Sequence, residues 1–503
     1  MDGQLSALQA GMLVPYGGDR VAIVDDALAT AFAPGDRLYV VQDSGAMLHI
    51  PAAVVAEVAE SVSVAHQAFT ALRSVPRAKV QEFYVKCAEL LATSADLIAA
   101  ANAVDMSRAE DLGRSTTRLE LTERMQADMV SGLLEWSRLL GAELADPEHD
   151  LVERVDHGDW NVEIRRAPLG VIGFVFEGRP NVVVDAAGVL ATGNTAVLRI
   201  GGDALGTAQA IVEHAIEPAL AAAGLPEGAL SLVPVRDRSA GWALFSDPRL
   251  ALAVVRGSGP AVTQLSSVAR QAGVPVSAHG TGGAWVMAGA DTDASRFAGV
   301  IRHSLDRKVC NTVNTVAIVR ERAAELVPVL LAAADEAAAT RDSVARIHVA
   351  DGSQEWVEAG EFDRTIDVLR PGGAVAEPRA SLLGGDKLGV EWEWEDTPEI
   401  SLVVVDDLDQ AADLFNAYSP QFVVSLVSLD AAQQAWFRDR VNAPFVGDGF
   451  TRWVDGQYAL NQPELGLSNW ERGRLLGRAG VLSGADLTTR RMFAHHDDPG
   501  QHR

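Results

Sequence analysis

The spacing of hydrophobic positions changes along the chain, and each change predicts a different kind of element. Residues 1 to about 55 carry short β-prone runs, DRVAIVDDAL and PGDRLYVVQDSGAMLHIP, broken by Pro-Gly and Ser-Gly turn signals, which predict a small β-containing extension. From about 56 to 142 the pattern turns helical: AKVQEFYVKCAELLATSADLIAAANAV repeats apolar residues at three- and four-residue spacings. In LVERVDHGDWNVEIRRAPLG two β-prone runs flank His157-Gly158-Asp159, a hairpin pattern at about 150–166. The chain then alternates through GVIGFVF, VVVDAAGVLATG, TAVLRI, a helix along ALGTAQAIVEHAIEPALAAAG, LSLVPV and LALAVVRGSG. Strands alternating with helices imply right-handed βαβ units, an α/β class with a parallel sheet, and ligands at the carboxyl ends of the strands. A second α/β block runs from about 276 to 445, with WVMAG, TVAIV, SLVVV and FVVSLVSL as strands and the Ala-rich LVPVLLAAADEAAAT as a surface helix. The final FAHHDDPGQHR reads as a frayed polar tail in which His495 and His496 have no fixed role.

Size and charge narrow the function classes. A chain of 503 residues exceeds one core, so two or three domains are expected. Asp and Glu outnumber Lys and Arg by 68 to 42, a formal charge of -26, which repels nucleic acid and anionic bilayers on average. No uninterrupted apolar run is long enough to span a bilayer, and the start lacks a basic stretch followed by an apolar core. Two cysteines, Cys87 and Cys310, do not make a disulfide framework, so a reducing cytoplasm is the expected compartment. Cys87, on a helical pattern between Val85 and Leu90, reads as a small buried hydrophobe.

Three places carry candidate chemistry. LRIGGDALGTAQA and VVRGSGPAVTQLSSVA each place a strand, a Gly-rich turn and a helix start in succession, either to bring backbone N–H groups to a phosphate or simply to turn. Neither is GxGxxG and no Walker A sequence occurs, which favours a nicotinamide dinucleotide over a nucleoside triphosphate as ligand. The third place is RKVCNTVNT. Cys310 stands there beside Arg307 and Lys308, which favour a thiolate, and among backbone donors suited to an oxyanion; the alternative is a buried structural thiol. No HxxxH, CxxC or HExxH pattern points to a metal.

The segment APLGVIGFVFEGRPNVVVDAAGVLATGNTAVLRIGGDAL closely resembles the γ-glutamyl phosphate reductases, also called glutamate-5-semialdehyde dehydrogenases, a branch of the aldehyde dehydrogenase superfamily that serves proline synthesis. AAANAVDMSRAEDLG, AAAGLPEGALSLVP, GVPVSAHGTGG, VCNTVNTVAIV, FTRWVDG, PELGLSN and SGADLTTRR follow in the family's order, so the likeness covers about residues 60–493. It implies an aldehyde dehydrogenase-like fold: a doubly wound cofactor domain at about 56–275, a catalytic α/β domain at about 276–445, and a return segment at 446–503. It also implies an oligomerisation arm, with LTTRRMF pairing the 150–166 hairpin, and hence a homo-oligomer. The implied reaction is NADPH-dependent reduction of γ-glutamyl phosphate to glutamate-5-semialdehyde, with NAD(H) a possible cofactor.

The resemblance also assigns residues. Cys310 falls on the nucleophile and Asn181 on the side-chain amide of the oxyanion hole, against an Asx turn after Pro180. Arg199, Gly201 and Gly202 fall on the stretch meeting the cofactor's adenosine half, and Gly257, Ser258 and Gly259 on the loop beside its pyrophosphate or nicotinamide. Arg452 and Asp455 occupy a loop near the substrate and Arg179 is a second anion clamp, although arginines in such places also form structural ion pairs. The chain departs from the family pattern around the nucleophile. Asp306-Arg307 replaces Arg-Pro, Asn314 stands where the family has Glu, and Ala278 takes the superfamily's acid/base glutamate position with His279 adjacent. Ala284 and Trp285 replace polar residues in a way expected to reshape the pocket. Two other functions fit these departures: reduction of a related amino-acid acyl phosphate, and a non-catalytic scaffold for an upstream amino-acid kinase, docked through the amino-terminal extension.

Overall fold

In the computed structural model the described residues are 5–114, 116, 119–176, 178–370, 373–453, 459–460 and 463–500. They form two compact units, the first comprising residues 1–280, 463–467 and 482–503, the second 281–462 and 468–481.

The first unit is built on a five-stranded parallel sheet whose spatial order is Val276–His279, Leu250–Arg256, Val171–Phe176, Thr195–Ile200, Leu230–Leu232. Numbered along the chain, the order from the Leu230 edge is 3-2-1-4-5, the doubly wound arrangement, with its reversal between the first and fourth strands. Every residue of Val171–Phe176 and Thr195–Ile200 is buried, as expected of a sheet covered on both faces. Helices Ala52–Leu72, Arg77–Thr93, Ala95–Asp111 and Glu123–Leu144 supply much of the cover; Pro51 and Pro76 sit just before two of them, where the missing N–H costs nothing. Val80, Phe83, Tyr84, Cys87 and Leu91 form the buried stripe of Arg77–Thr93. Burial pushes the Cys87 thiol up to about 12, so it remains an inert core thiol. The Tyr84 hydroxyl donates to Ala187 O at 2.9 Å and accepts from Ala191 N at 3.0 Å, pinning this helix to the crossover after the first strand.

The amino-terminal extension folds as two hairpins, Leu13–Tyr16 with Arg20–Ile23 and Arg37–Val40 with Met47–Ile50, around a helix at Asp26–Ala31. Leu8, Val24 and Phe32 form its own small core. Strands Leu151–Asp156 and Trp160–Pro168 make the hairpin at His157–Asp159, and Thr488–His496 pairs antiparallel along the whole of the second strand. The pairing of LTTRRMF with the hairpin is as expected, and the frayed tail expected from Phe493 onward is corrected over Phe493–His496, which continue the strand. His496 stacks on Trp160 with ring centroids 5.3 Å apart, because these four residues find ladder partners that a sequence pattern cannot reveal.

The second unit holds a seven-stranded parallel sheet ordered Ala380–Leu383, Arg346–Ala350, Glu399–Val405, Val313–Val319, Ala284–Ala288, Val423–Leu426, Phe445–Gly447. Successive residues alternate between two apolar layers: Val286, Val316 and Ile318 in one, Trp285, Met287 and Ala317 in the other. Trp285 is fully buried with its ring 5.7 Å from that of Phe415, so the expected reshaping of a pocket by Trp285 is corrected to a core contact. The Ala-rich segment is the helix Arg320–Ala339, whose Ala323, Leu326, Val327, Leu330 and Ala334 are buried; it packs one face into the unit and is not merely a surface helix. A hairpin, Thr365–Arg370 with Gly373–Pro378, is tied to the sheet through Glu399, which is 1% exposed and lies 2.6 Å from Arg370 Nη1 and 3.0 Å from Arg346 Nη1. Among the described residues no single helix is long and apolar enough to cross a membrane.

Candidate active site

The candidate side chains fall in two sets, one in each unit. In the first unit the last residues of three neighbouring strands, Arg256, Phe176 and Ile200, lie in register, so the loops that follow start level at the carboxyl edge of the sheet. Strands lie about 4.8 Å apart, and the strand-order reversal opens a crevice between the loops after Phe176 and Arg256. Arg179 and Asn181 follow the first of these strands; Gly257, Ser258 and Gly259 follow the other and open the helix Gly259–Gln271. Gly257 N donates to His279 O at 3.4 Å.

Asn181 begins the short helix Val182–Asp185, and its Oδ1 is buried with no hydrogen-bond partner among the described residues. A buried acceptor left unmet costs about 1–3 kcal/mol, a cost recovered when a ligand donates to it. One turn on, Asp185 was not singled out by sequence reasoning. Burial raises its carboxyl to about 7, with Arg256 opposing, Glu464 adding to the rise and Arg179 opposing. Arg256 itself pairs with Glu464 at 2.7 Å. The lone acid inside the apolar run VVVDAAG was the available signal for Asp185.

Arg199, Gly201 and Gly202 close the strand Thr195–Ile200. Gly201 N donates to Phe176 O at 3.1 Å, and Arg199 Nη2 donates to Asp237 O at 3.2 Å. A Cβ on Gly202 would lie 2.9 Å from Arg236 O, so only glycine fits that close approach. The crevice at the strand-order reversal, the unmet Asn181 acceptor and the glycine approach fit a bound dinucleotide.

In the second unit Cys310 is half-buried in a turn that closes with Thr312 N donating to Val309 O at 3.1 Å, just before the strand Val313–Val319. The Thr312 hydroxyl accepts from Val309 N at 2.9 Å and donates to Arg307 O at 2.6 Å, fixing the approach to the cysteine. Gly283 N donates to Cys310 O at 2.8 Å, and a Cβ on Gly282 would fall 2.7 Å from Cys310 Cα and 2.9 Å from its Cβ, so the GTGG turn touches the cysteine. A strap at 389–392 completes the surroundings. Glu391 accepts from Gly282 N at 2.6 Å and pairs with Lys308 at 2.5 Å, while Asn314 donates to Val390 O at 2.8 Å and accepts from Trp392 N at 2.9 Å. The last pair explains Asn at 314: an amide both donates and accepts, whereas an ionised glutamate there would face the Val390 carbonyl with no proton to offer.

Arg452 reaches Asp306 with Nε at 2.6 Å and hydrogen-bonds Asn311 with Nη1, so its fork spans the residues on either side of Cys310. Asp306 thus finds its counter-charge in Arg452, and Lys308 its own in Glu391. Asp455 lies outside the described residues. Ala278 is fully buried in the strand Val276–His279 of the first unit, opposite Val255, and offers no acid/base group. Among the described residues no group of three or more His, Cys, Asp or Glu is placed to hold a metal.

Comparison with known proteins gives the family and the fold. The chain matches the Aldehyde dehydrogenase family over residues 40–369. It is 30% identical to the γ-glutamyl phosphate reductase of Rhizobium johnstonii over 81% of this chain and 87% of that one, and 29% identical to that of Halothermothrix orenii over 80% and 88%. The crystal structure of γ-glutamyl phosphate reductase from Thermotoga maritima superposes with a TM-score of 0.74 at 23% identity, covering 89% of this chain and 100% of that one. On this evidence the chain belongs to the aldehyde dehydrogenase family, and within it to the γ-glutamyl phosphate reductases.

Proposed function

We propose that this protein reduces γ-glutamyl phosphate to glutamate-5-semialdehyde with release of phosphate, in proline synthesis, through a thioester on Cys310 and with NADPH as reductant. The observation that carries the reading is the cysteine turn. Cys310 is half-buried, the Gly282–Gly283 turn touches its backbone, and Arg452 ties together Asp306 and Asn311 on either side of it. In this reading the Cys310 sulfur attacks the acyl carbon, the carbon–oxygen bond to phosphate breaks, and phosphate leaves with that bonding pair. Asn181 donates its side-chain amide to the developing oxyanion, a contact whose loss costs about 3 kcal/mol in comparable sites. The bound dinucleotide supplies hydride to the thioester carbon. Collapse of the adduct on Cys310 then returns the thiolate and frees the aldehyde. Phosphate departure needs no activated water, which accords with Ala278 where a general base would otherwise stand.

Arg179 is proposed as a partner for the substrate's anionic groups, and the arm of strands 151–156, 160–168 and 488–496 as the surface of a homo-oligomer. A cytoplasmic setting suits a chain that depends on a reduced thiol. The test follows NADP⁺ reduction with glutamate semialdehyde and phosphate, comparing the native chain with Cys310→Ala. Turnover lost by at least about 10³-fold in the variant supports the reading. Equal, near-zero rates in both would favour a scaffold role beside an amino-acid kinase. Turnover with other aldehydes alone would move the substrate to a related amino-acid derivative.

A further inference from the structure

We infer that Glu391 is a positioning residue for the reaction: its one carboxylate ties the Gly282–Gly283 turn to the turn that carries Cys310 and so fixes where the thiol stands. The inference rests on the reading of Cys310 as the nucleophile and adds to it a residue that acts through its neighbours. Three segments far apart in sequence meet at this carboxylate, which is why no local motif announces it.

The two oxygens of Glu391 serve different segments. Oε2 accepts from Gly282 N at 2.6 Å, and Oε1 lies 2.5 Å from Lys308 Nζ. Gly282 is the residue on which a Cβ would meet Cys310, and Lys308 stands two residues before that cysteine. An ionised carboxylate accepts from several donors at once, and both bonds here are charge-assisted. The two turns are therefore joined twice. Gly283 N donates to Cys310 O and Ala284 N to Thr312 O, at 2.8 and 2.9 Å, and Glu391 closes the second link. Asn469 Nδ2 holds the glycine turn from its other end, donating to Thr281 O at 2.9 Å.

A bridge positions its neighbours only if it is itself fixed, and the residues on both sides of Glu391 are anchored to Asn314 through Val390 O and Trp392 N. Trp392 Nε1 donates to the Ser401 hydroxyl at 2.9 Å, and its ring lies flat against His348, with 3.5 Å between centroids and 9° between planes. His348 and Ser401 are partners on neighbouring strands, so the strap is fastened to the parallel sheet. Burial decides how much the bridge matters. Gly282 is buried, and the Lys308 and Glu391 side chains are 9% and 17% exposed. An exposed ion pair adds little, but removal of this carboxylate strands a buried N–H and a nearly buried ammonium together. Glu393, 3.7 Å from the same ammonium, is 63% exposed and lies at the rim of the cluster.

The test separates bridging from charge balance through a cycle with Lys308. Semialdehyde oxidation gives kcat and KM, iodoacetamide gives the alkylation rate of Cys310, and urea denaturation reports that each full-length variant is folded. Glu391→Ala removes both bonds and should lower kcat by about 10²-fold with KM within about threefold. Glu391→Gln keeps an oxygen for Gly282 N but sets an amide N–H against the ammonium, and should lower kcat by about tenfold. Adding Lys308→Met should recover most of the loss in the glutamine background and little of it in the alanine background, because only glutamine leaves Gly282 N an acceptor. The alkylation rate should depart from native in the same variants and return with the same rescue, and Glu393→Gln should stay within about twofold of native in both assays. An ion pair that serves the fold alone predicts equal recovery in the two backgrounds. That result, or native kcat and alkylation in a folded Glu391→Ala chain while Cys310→Ala is inactive, would overturn the inference and leave the thioester reading standing. Full turnover in Cys310→Ala would instead overturn the thioester reading, and the inference with it.

Discussion

Replacing Gly282 by alanine tests whether the cysteine turn is as tightly built as its geometry states. The added Cβ would sit 2.7 Å from both the Cα and the carbonyl oxygen of Cys310, and 2.9 Å from its Cβ. Non-bonded carbons settle at about 3.5–4.0 Å, so one of the two backbones has to retreat by roughly 1 Å, and none of the three contacts is the movable tip of a side chain. Gly283 N and Ala284 N hold Cys310 O and Thr312 O at 2.8 and 2.9 Å, and the movement strains both bonds. Overpacking of this kind costs about 1–3 kcal/mol of stability, and misplacing a reacting atom by about 1 Å costs on the order of 10²-fold in rate. The assay pairs kcat/KM for semialdehyde oxidation with the rate of Cys310 alkylation by iodoacetamide and with urea denaturation. Expected are a fall in kcat/KM of about 10²-fold, an altered alkylation rate and the stated loss of stability. Gly299→Ala is the control: it lies in the helix Ala294–Ser304 with nothing within 4 Å of the new methyl, and should be neutral or slightly stabilising. Gly282→Ala with native kcat/KM and native stability would refute the reasoning.

Further outcomes follow from the charged groups. Because burial holds Asp185 at about 7, above its unfolded value, the proton it carries stabilises the fold fully below about pH 4, and that contribution is lost as pH rises through 7. Asp185→Asn should therefore match the native chain at pH 4 and exceed it by roughly 2–4 kcal/mol at pH 8 in urea titrations; parallel curves would contradict the burial of that carboxyl. Glu399 behaves oppositely: burial would raise its carboxyl, but hydrogen bonds from His348 and Arg370 outweigh it and hold the group at about 2. Its stabilisation is present above about pH 4.5 and lost as pH falls toward 2, so Glu399→Gln should cost roughly 3 kcal/mol at pH 7 and much less at pH 3 by the same measurement. Arg452→Lys keeps the charge and loses the fork that spans Asp306 and Asn311. Steady-state kinetics should show kcat falling about tenfold with KM within about twofold; a raised KM with intact kcat would make Arg452 the substrate's own anion partner.

Much of this protein could be read from its residues in order. Strand runs such as TAVLRI and SLVVV are buried at every position, and alternation of strand and helix patterns suffices to predict parallel sheets, because burial on both faces leaves an uninterrupted apolar signature. The cysteine was legible too, since a thiol between Lys308 and a Thr- and Asn-rich turn is an unusual local composition. Local sequence could not supply the partners that come from afar. The strand Thr488–His496 is expected as far as LTTRRMF only through the resemblance, and its last residues, Phe493–His496, read as part of a polar tail because they are exposed; only pairing with Trp160–Pro168 gives them structure. Lys308 meets Glu391 across 83 residues, Arg452 meets Asp306 across 146, and Arg108 reaches Gly202 across 94. Periodicity reports which face of an element is buried, a property of neighbours along the chain. Which charge answers which, and where a glycine must stay bare, follow from how the loops at the sheet edges converge, and that is decided only once the tertiary structure has formed.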